Sequence, residues 1–252
     1  MILEYGGYSH KGMVRKSNED YYYIPSADKI QDLAMIADGM GGHNAGELAS
    51  RMAVETAIEY LTHRIDRDGY SQDPAGLIEE AIGVSNGRIF DVSLANEAYN
   101  GMGTTLITAY FSHEILYLGH VGDSRGYLIR GGSVKQLTKD HSLVQELLDN
   151  GTITPDEVDK HPQKNIITRA LGTENVIDID CHKIALKEND IILLCTDGLI
   201  LHVDLQESID LVESAHSMQE LALGLVDQAV ERGGLDNVTV VAIKYISKKK
   251  EG

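Results

Sequence analysis

The 252-residue chain has no tryptophan, two phenylalanines, four prolines and only two cysteines. Two thiols cannot form the disulfide framework of a small secreted domain, and both Cys181 and Cys195 fall in predicted strands, so we expect buried, reduced side chains. No apolar run approaches the roughly 20 residues that cross a bilayer. The amino end also lacks the basic start and apolar core of a secretory signal. These absences predict a cytoplasmic protein without membrane contact.

Basic residues are scarce, with 22 Lys and Arg against 39 Asp and Glu and a formal net charge of −17. Binding to a nucleic-acid backbone needs clustered Lys and Arg. The one basic run, residues 248–250, lies near the end of the chain, and we interpret it as a solvated tail. We therefore expect no nucleic-acid partner. The acidic excess also allows some carboxylates to be gathered around cations that the sequence count omits.

The order of predicted elements indicates an α+β fold with two layers of largely antiparallel sheet. We see no internal repeat and no Pro/Ser-rich linker, so residues 1–247 are predicted to form a single catalytic domain, with a basic tail at 248–252. The apolar patterns predict helices at 45–65, 74–94, 204–214 and 217–232, and strands at 2–10, 20–25, 31–37, 103–111, 114–121, 125–130, 133–138, 178–186, 190–196 and 236–246. The four consecutive strands from 103 to 138 have short connections typical of an antiparallel meander.

Residues 140–176 form a long polar excursion between predicted strands. Asp140 is predicted to cap a short helix that Gly151 ends, and residues 154–157 begin another helical turn. Long excursions of this kind often cover a functional site, so we interpret the segment as a flap.

Three aspartates stand at the ends of apolar runs. Asp38-Gly39 follows the run 33–37, Asp197-Gly198 follows the run 191–196, and Asp236 precedes the run 238–243. Strand ends hold side chains in fixed positions, so these carboxylates can converge on a hard cation. Asp-Gly is also a common turn signal, and spacing alone leaves both interpretations open. The arrangement suggests metal-assisted chemistry on an oxyanion.

The three aspartates belong to a series of five motifs that follow one another along the chain: RKSNED at 15–20, DGMGGH at 38–43, GDSR at 122–125, TDG at 196–198 and GLDN at 234–237. With these motifs the chain closely resembles the bacterial branch of the metal-dependent protein phosphatases of the 2C type, which remove phosphate from serine and threonine. The resemblance extends from Gly12 to Val241. It implies an α-β-β-α sandwich, two mainly antiparallel sheets flanked by helices, with a binuclear Mn²⁺ or Mg²⁺ centre between the sheets.

The resemblance also implies a role for each motif residue. Asp38 would bridge two cations, Asp197 and Asp236 would complete the first site, and the Gly39 carbonyl would bind the second. The resemblance also implies that Asp123 and Asp197 would bind a third cation and that Arg15 would bind the phosphate. Glu19 and Asp20 would contact the cations from outside, through metal-bound water. An oxygen-only ligand set suits Mg²⁺ and Mn²⁺. The missing Cβ of Gly39 would let a cation approach the backbone.

The chain departs from the family pattern where a proton donor is expected. Met40 replaces a histidine that is a candidate general acid in relatives, and a thioether cannot donate a proton. His43 and His161 are alternative donors, but a lone loop histidine is more often structural or exposed.

Two other departures lie near the predicted ligands. His10 stands where family members usually have Asp, which alters the support around Arg15. Residues 200–201 are Ile-Leu, where many eukaryotic relatives carry polar or acidic residues. A third cation would then depend on Asp123 and water.

The leading functional hypothesis is a monomeric, cytoplasmic phosphoserine/phosphothreonine protein phosphatase whose substrates include a bacterial Ser/Thr kinase that it opposes. A phosphatase-like regulatory binding protein is the first alternative, which the complete set of core aspartates disfavours. A stress or sporulation phosphatase acting on an anti-sigma antagonist is the second. Such enzymes usually carry sensory segments, and none is seen in this sequence.

Overall fold

The computed structural model describes residues 1–26, 30, 32–41, 44–68 and 72–247, so His43 and the predicted tail at 248–252 lie outside the described residues. The strands are β1 Ile2–His10, β2 Asp20–Tyr23, β3 Leu33–Met40, β4 Gly103–Thr104, β5 Leu106–Ser112, β6 Ile115–Val121, β7 Arg125–Arg130, β8 Ser133–Gln136, β9 Asp180–Ala185, β10 Ile191–Cys195 and β11 Val238–Ser247. The helices are α1 Asn44–Asp68, α2 Pro74–Ala95, α3 Leu143–Asp149, α4 Pro155–Val158, α5 Asp197–Ile200, α6 Ile209–Ser214 and α7 Met218–Glu231.

The strands form two antiparallel sheets. In sheet one the order is β1-β11-β10-β7-β8, and in sheet two it is β2-β3-β5-β6-β9, with β4 paired to the end of β3. Each of these strand pairs is antiparallel. The predicted α+β class is confirmed.

The two sheets pack face to face, and helices cover their outer faces. Ile36, Phe111, Leu194 and Val241 belong to the buried core between the sheets. On the outer side of sheet two lie α1 and α2, and on the outer side of sheet one lies α7. Every residue of β10 is buried because this central strand has apolar cover on both faces. The predicted α-β-β-α sandwich is confirmed.

The predicted four-strand meander is wrong. Although β5 pairs with β6 and β7 pairs with β8, β6 belongs to sheet two and β7 to sheet one. The chain crosses between the sheets at residues 122–124, where Gly122 has φ +110°, and a Cβ there would lie 2.4 Å from Cγ2 of Thr105. This crossover places Asp123 at the same end of the sandwich as the other predicted ligands.

Three local expectations also need correction. Ser142, rather than Asp140, caps α3, because its hydroxyl accepts from the Gln145 amide at 3.4 Å. Asp140 instead pairs with Arg125, 2.7 Å from its Nη2. The helix predicted at 204–214 begins at Ile209, and α5 begins at Asp197, where only an Asp-Gly turn or strand end was expected.

Within the described ranges, no helix combines the length and hydrophobicity that crossing a bilayer requires.

Candidate metal centre

Strand pairing brings Asp197 and Asp236 to one edge of sheet one. The neighbouring strands β10 and β11 are antiparallel, and Cys195 at the end of β10 faces Val240 near the start of β11. The residues just after β10 and just before β11 are therefore adjacent. In sheet two, Asp38 near the end of β3 faces Asp20 at the start of β2. The mouth between the sheets is consequently lined by carboxylates from both.

These carboxylates repel one another. Burial, followed by repulsion from Asp20, Asp197 and Asp123, raises the pKa of Asp38 well above its ordinary value. Burial and the charge of Asp236 raise the pKa of Asp197 to about 6, against the opposing effects of a hydrogen bond with Asp38 and the charge of Arg15. Burial and the charge of Asp197 raise the pKa of Asp123 to about 7. Protein groups leave this negative charge under-compensated.

The donor set fits hard divalent cations. The converging groups are carboxylate oxygens, which Mg²⁺ and Mn²⁺ prefer. Buried carboxylate oxygens normally have hydrogen-bond partners, yet within the described part of the chain Oδ1 of Asp20 and Oδ1 of Asp123 have none. Cations bound here would neutralise the repulsion among the aspartates and satisfy such oxygens.

Arg15 lies at the edge of this carboxylate cluster. Its Nη2 donates to Oδ2 of Asp236 at 2.7 Å, and its side chain is 55% exposed. That hydrogen bond is the main reason that the pKa of Arg15 is raised, and the charges of Glu19 and Asp197 add to it. Among the described residues, no three His, Cys, Asp or Glu side chains already stand in an arrangement that would hold one ion. Because Arg15 already donates to Oδ2 of Asp236, binding of a cation through that oxygen would require Arg15 to move.

Asp20 fastens the two sheets together beside the centre. Its Oδ2 accepts from the hydroxyls of Thr196 at 2.9 Å and Thr239 at 2.6 Å. Thr196 directly follows β10 and Thr239 lies in β11, and both strands belong to sheet one. Burial raises the pKa of Asp20 to about 7, although both hydroxyl donors lower it. The sequence suggested only an outer contact for Asp20, and the structure adds this anchoring role.

Gly39 is needed for close backbone packing. A Cβ at this position would lie 2.1 Å from the Gly46 carbonyl oxygen and 2.6 Å from the Glu19 carbonyl oxygen. The Glu19 carbonyl accepts from the Gly39 amide at 3.1 Å and from Ser50 Oγ at 2.6 Å. Glycine at this position was expected because it lets a cation approach the backbone. The structure supplies a second, steric reason, since a Cβ would clash with two neighbouring carbonyl groups.

Sequence reasoning missed the positioning role of Asn237. Its Nδ2 donates to the carbonyls of Lys11 and Ser17, each at 2.9 Å, and its Oδ1 accepts from the Glu19 amide at 2.8 Å. The side chain is thus the clamp that holds the loop carrying Arg15 against the start of β11. The Asp-Asn pair at 236–237 was the available signal.

Two hydroxyl residues that position Asp38 and Asp123 were also missed. Thr105 Oγ1 accepts from the Asp38 amide at 2.9 Å and lies 2.7 Å from Ser124 Oγ. The Thr105 amide in turn donates to the Asp38 carbonyl at 2.9 Å. This chain of contacts joins Asp38 to the turn that carries Asp123, and nothing in the sequence around residue 105 indicated it.

Two of the histidines discussed above, His10 and His161, take structural positions. His10 Nδ1 accepts from the Gly12 amide at 3.0 Å and so shapes the turn before Arg15. His161 Nδ1 accepts from the Gln163 amide at 3.2 Å within the flap. A further histidine, His141, is buried at the base of the flap, and its Nδ1 accepts from the Gly122 amide at 3.0 Å.

Known proteins share this sequence pattern and this fold. The sequence profile of the family described as protein phosphatase 2C matches residues 7–225, a range that contains Asp38, Asp123 and Asp197 and ends before Asp236. The serine/threonine phosphatase stp of Listeria welshimeri is 37% identical over 242 residues, covering 93% of this chain and 92% of that protein.

Solved structures agree with the sequence comparison. The Mycobacterium tuberculosis serine/threonine phosphatase PstP/Ppp superposes with a TM-score of 0.88 at 36% identity, covering 98% of this chain and all of that one. The catalytic domain of the phosphatase PstP in complex with two manganese ions superposes with a TM-score of 0.84 at 35% identity, covering 97% of this chain and 99% of that one.

Proposed function

This chain belongs to the protein phosphatase 2C family and is a metal-dependent Ser/Thr protein phosphatase, and we propose that its aspartate cluster holds the cations for the hydrolysis while Arg15 binds the phosphate. The observation that carries this assignment is the convergence of Asp38, Asp197 and Asp236, from both sheets, beside one exposed arginine. Such a cluster fits the two Mn²⁺ or Mg²⁺ ions of the family.

The carboxylates hold the cations in this proposal. Asp38 lies between the two sheets and would be held in common by two cations, while Asp197 and Asp236 lie together at the edge of sheet one and would complete the ligands of one of them. Asp123 and Asp197 are available to a third cation. When bound, divalent cations supply Lewis acidity that makes a water nucleophilic near neutral pH and neutralise charge on the phosphate. Thr105, Asn237 and the hydroxyls on Asp20 keep this cluster in place.

Arg15 recognises the phosphate. Its guanidinium presents a planar fork that matches two phosphate oxygens, which a lysine ammonium would match less well. In the structure the fork is held by Asp236 at 2.7 Å. Neutralisation of Asp236 by a cation would weaken that ion pair and free Arg15 to turn toward a substrate phosphate. The exposed position of Arg15 leaves room for a phosphorylated polypeptide to approach.

The proton for the departing serine or threonine oxygen has no assigned donor side chain. Met40 is half-buried at the end of β3 and cannot donate. His161 is engaged with the flap backbone. We therefore propose that water at the centre, rather than Met40 or His161, protonates the leaving group.

The test is hydrolysis of a phosphothreonine peptide and of p-nitrophenyl phosphate with Mn²⁺, followed by addition of a chelator. We expect both activities to be lost on chelation and in Asp38→Ala, whereas Asp227→Ala, on the exposed side of α7, should retain them. Activity that survives chelation, or that persists in Asp38→Ala, would contradict the assignment.

We also propose that the substrates include a Ser/Thr kinase that this phosphatase opposes in the cytoplasm. The alternative substrate is a phosphorylated anti-sigma antagonist. An autophosphorylated kinase domain and a phosphorylated antagonist, mixed with the enzyme in equal amounts, would discriminate between them. Faster release of phosphate from the kinase supports the proposal, and faster release from the antagonist contradicts it.

The flap is the segment that we propose for protein-substrate selection. Both ends are tied beside the centre: the His141 amide donates to the Gly122 carbonyl at 2.8 Å, and Leu171 and Thr104 exchange backbone hydrogen bonds of 2.9 and 3.1 Å. We expect exchange of residues 140–176 with those of a relative to change the preference among phosphoproteins while sparing p-nitrophenyl phosphate. Equal losses on both kinds of substrate would count against this role.

A further inference from the structure

A cavity of about 310 Å³ opens between the flap and α5, next to the aspartate cluster. Asp123 and Asp197 line it, so it adjoins the proposed metal centre directly. The flap contributes residues from α3, α4 and positions 164–165. Any group that occupies this cavity during catalysis must therefore lie close to the phosphate under attack.

One wall of the cavity is aliphatic. It consists of Val144 on α3, Val158 on α4 and the pair Ile200 and Leu201 at the end of α5. Val144 is 5% exposed and Leu201 is 41% exposed, so the wall runs from the protein interior to the surface. Water covers Leu201 in the free protein, and burying it against an apolar group would be favourable.

The charged side chains that line the cavity, apart from Asp123 and Asp197, balance in sign. Arg125 donates to Asp140 through Nη2 at 2.7 Å and through Nε at 3.0 Å, so its charge is already matched. Asp159 and Lys164 carry opposite charges and are both exposed. Once cations neutralise Asp123 and Asp197, the cavity offers an uncharged occupant apolar contact, and the opposite charges of Asp159 and Lys164 leave no net charge to attract a charged occupant.

We propose that this cavity is a specificity subsite that takes an aliphatic side chain of the substrate polypeptide, one or two residues from the phosphorylated serine or threonine. The proposal rests on the phosphatase function proposed above. Leu201 follows Asp197 by four residues, which at about 1.5 Å per helical residue is roughly 6 Å along α5. An extended peptide advances about 3.3 Å per residue, so one or two residues cover that distance.

The test uses phosphothreonine peptides that differ at one position, from two residues before the phosphothreonine to two residues after it. Each position carries leucine, serine or aspartate in otherwise identical peptides, and kcat/KM is measured with Mn²⁺. At one of these positions we expect leucine to exceed serine by roughly ten-fold, the scale on which hydrophobic pockets discriminate, and aspartate to be slowest.

Variants of the wall then locate the preference. Leu201 directly follows α5 and Val158 lies on the flap, so Leu201→Ser and Val158→Ser test the two sides of the cavity separately. We expect each to reduce the leucine-to-serine ratio to within about three-fold of unity. Leu223→Ser and Val84→Ser are matched controls, because Leu223 on α7 is 39% exposed, Val84 on α2 is 43% exposed, and neither lines the cavity. Both controls should keep the wild-type ratio.

The outcomes separate this proposal from the phosphatase assignment. Peptides hydrolysed at equal rates regardless of the neighbouring residue would overturn the subsite and leave the phosphatase function intact. Equal loss of the ratio in Leu201→Ser and Leu223→Ser, with melting temperatures like that of the wild type, would also overturn it. No hydrolysis of any peptide by the wild type with Mn²⁺ would contradict the phosphatase function itself.

Discussion

Asp197→Asn should stabilise the metal-free protein and disable the metal-loaded one. Asparagine keeps the shape of the side chain and removes its charge. Burial and Asp236 raise the pKa of Asp197 from 3.8 to about 6 in the folded protein. At about 1.36 kcal/mol for each pKa unit, keeping Asp197 ionised at pH 8 costs the folded state about 3 kcal/mol. Because neighbouring carboxylates share this repulsion, we expect a gain of about 1 to 3 kcal/mol in the free energy of unfolding.

The pH dependence of this gain identifies its cause. A folded-state pKa above the unfolded value means that the folded protein binds more protons, so this contribution to stability falls as the pH rises from about 4 to about 6. The advantage of Asp197→Asn should therefore be full at pH 8 and mostly gone near pH 4, where the aspartate is neutral in the folded state and about half neutral in the unfolded state. Urea unfolding in EDTA at both pH values measures it.

Added Mn²⁺ should reverse the order of stability. A ligand at about 100 times its Kd stabilises a folded protein by about 2.7 kcal/mol, and Asp197→Asn should lose most of that gain together with the phosphatase activity. Asp227→Asn makes the same chemical change on the exposed side of α7 and should alter stability by no more than about 0.5 kcal/mol. An Asp197→Asn variant less stable than the wild type in EDTA at pH 8, or a gain that persists at pH 4, would refute the reasoning.

Two other substitutions test the supports of the centre, and a third tests His120, a buried histidine of β6. Asn237→Ala removes three hydrogen bonds to buried or loop backbone groups, so urea unfolding should show a loss of about 2 to 4 kcal/mol in the free energy of unfolding. We expect kcat/KM to fall as well. Unchanged activity would show that the Asn237 clamp does not position Arg15. Gly39→Ala should lower the free energy of unfolding by about 1 to 3 kcal/mol through overpacking. Gly83→Ala is the control in α2, where a Cβ meets nothing within 4 Å, and it should raise the free energy of unfolding by up to about 1 kcal/mol. Equal melting temperatures for the two variants would contradict this prediction. Burial lowers the pKa of His120 to about 3, so protonation of this histidine in the unfolded state favours unfolding at pH 5. Between pH 7.5 and 5, the free energy of unfolding of His120→Phe should therefore fall by about 2 kcal/mol less than that of the wild type. Parallel curves of unfolding free energy against pH would contradict this prediction.

The sequence predicted the layers of the fold because burial leaves a periodic trace. The apolar runs at 33–37 and 191–196 are strands whose residues are buried on both faces. Which strands share a sheet leaves no such trace. The crossover at Gly122 depends on its φ of +110° and on close contact with Thr105, and short connections alone suggested a meander.

The candidate site divides in the same way. Asp38, Asp197 and Asp236 stand next to apolar runs, so strand pairing was enough to bring them together. The contacts of Asp20 join residues 176 and 219 positions apart in the chain, and no local pattern specifies such partners. The cap of α3 was misplaced because Asp140 and Ser142 both suit that position, and Arg125, distant in sequence, decides between them.

The most direct test of the account is anomalous scattering at the manganese edge from crystals of this protein soaked in Mn²⁺. We expect two strong peaks between the sheets, both adjoining Asp38 and one also bound by Asp197 and Asp236, with Arg15 released from Asp236. Peaks elsewhere, or no peak at this cluster in crystals that remain active in the phosphopeptide assay, would contradict the assignment of these aspartates as the metal centre.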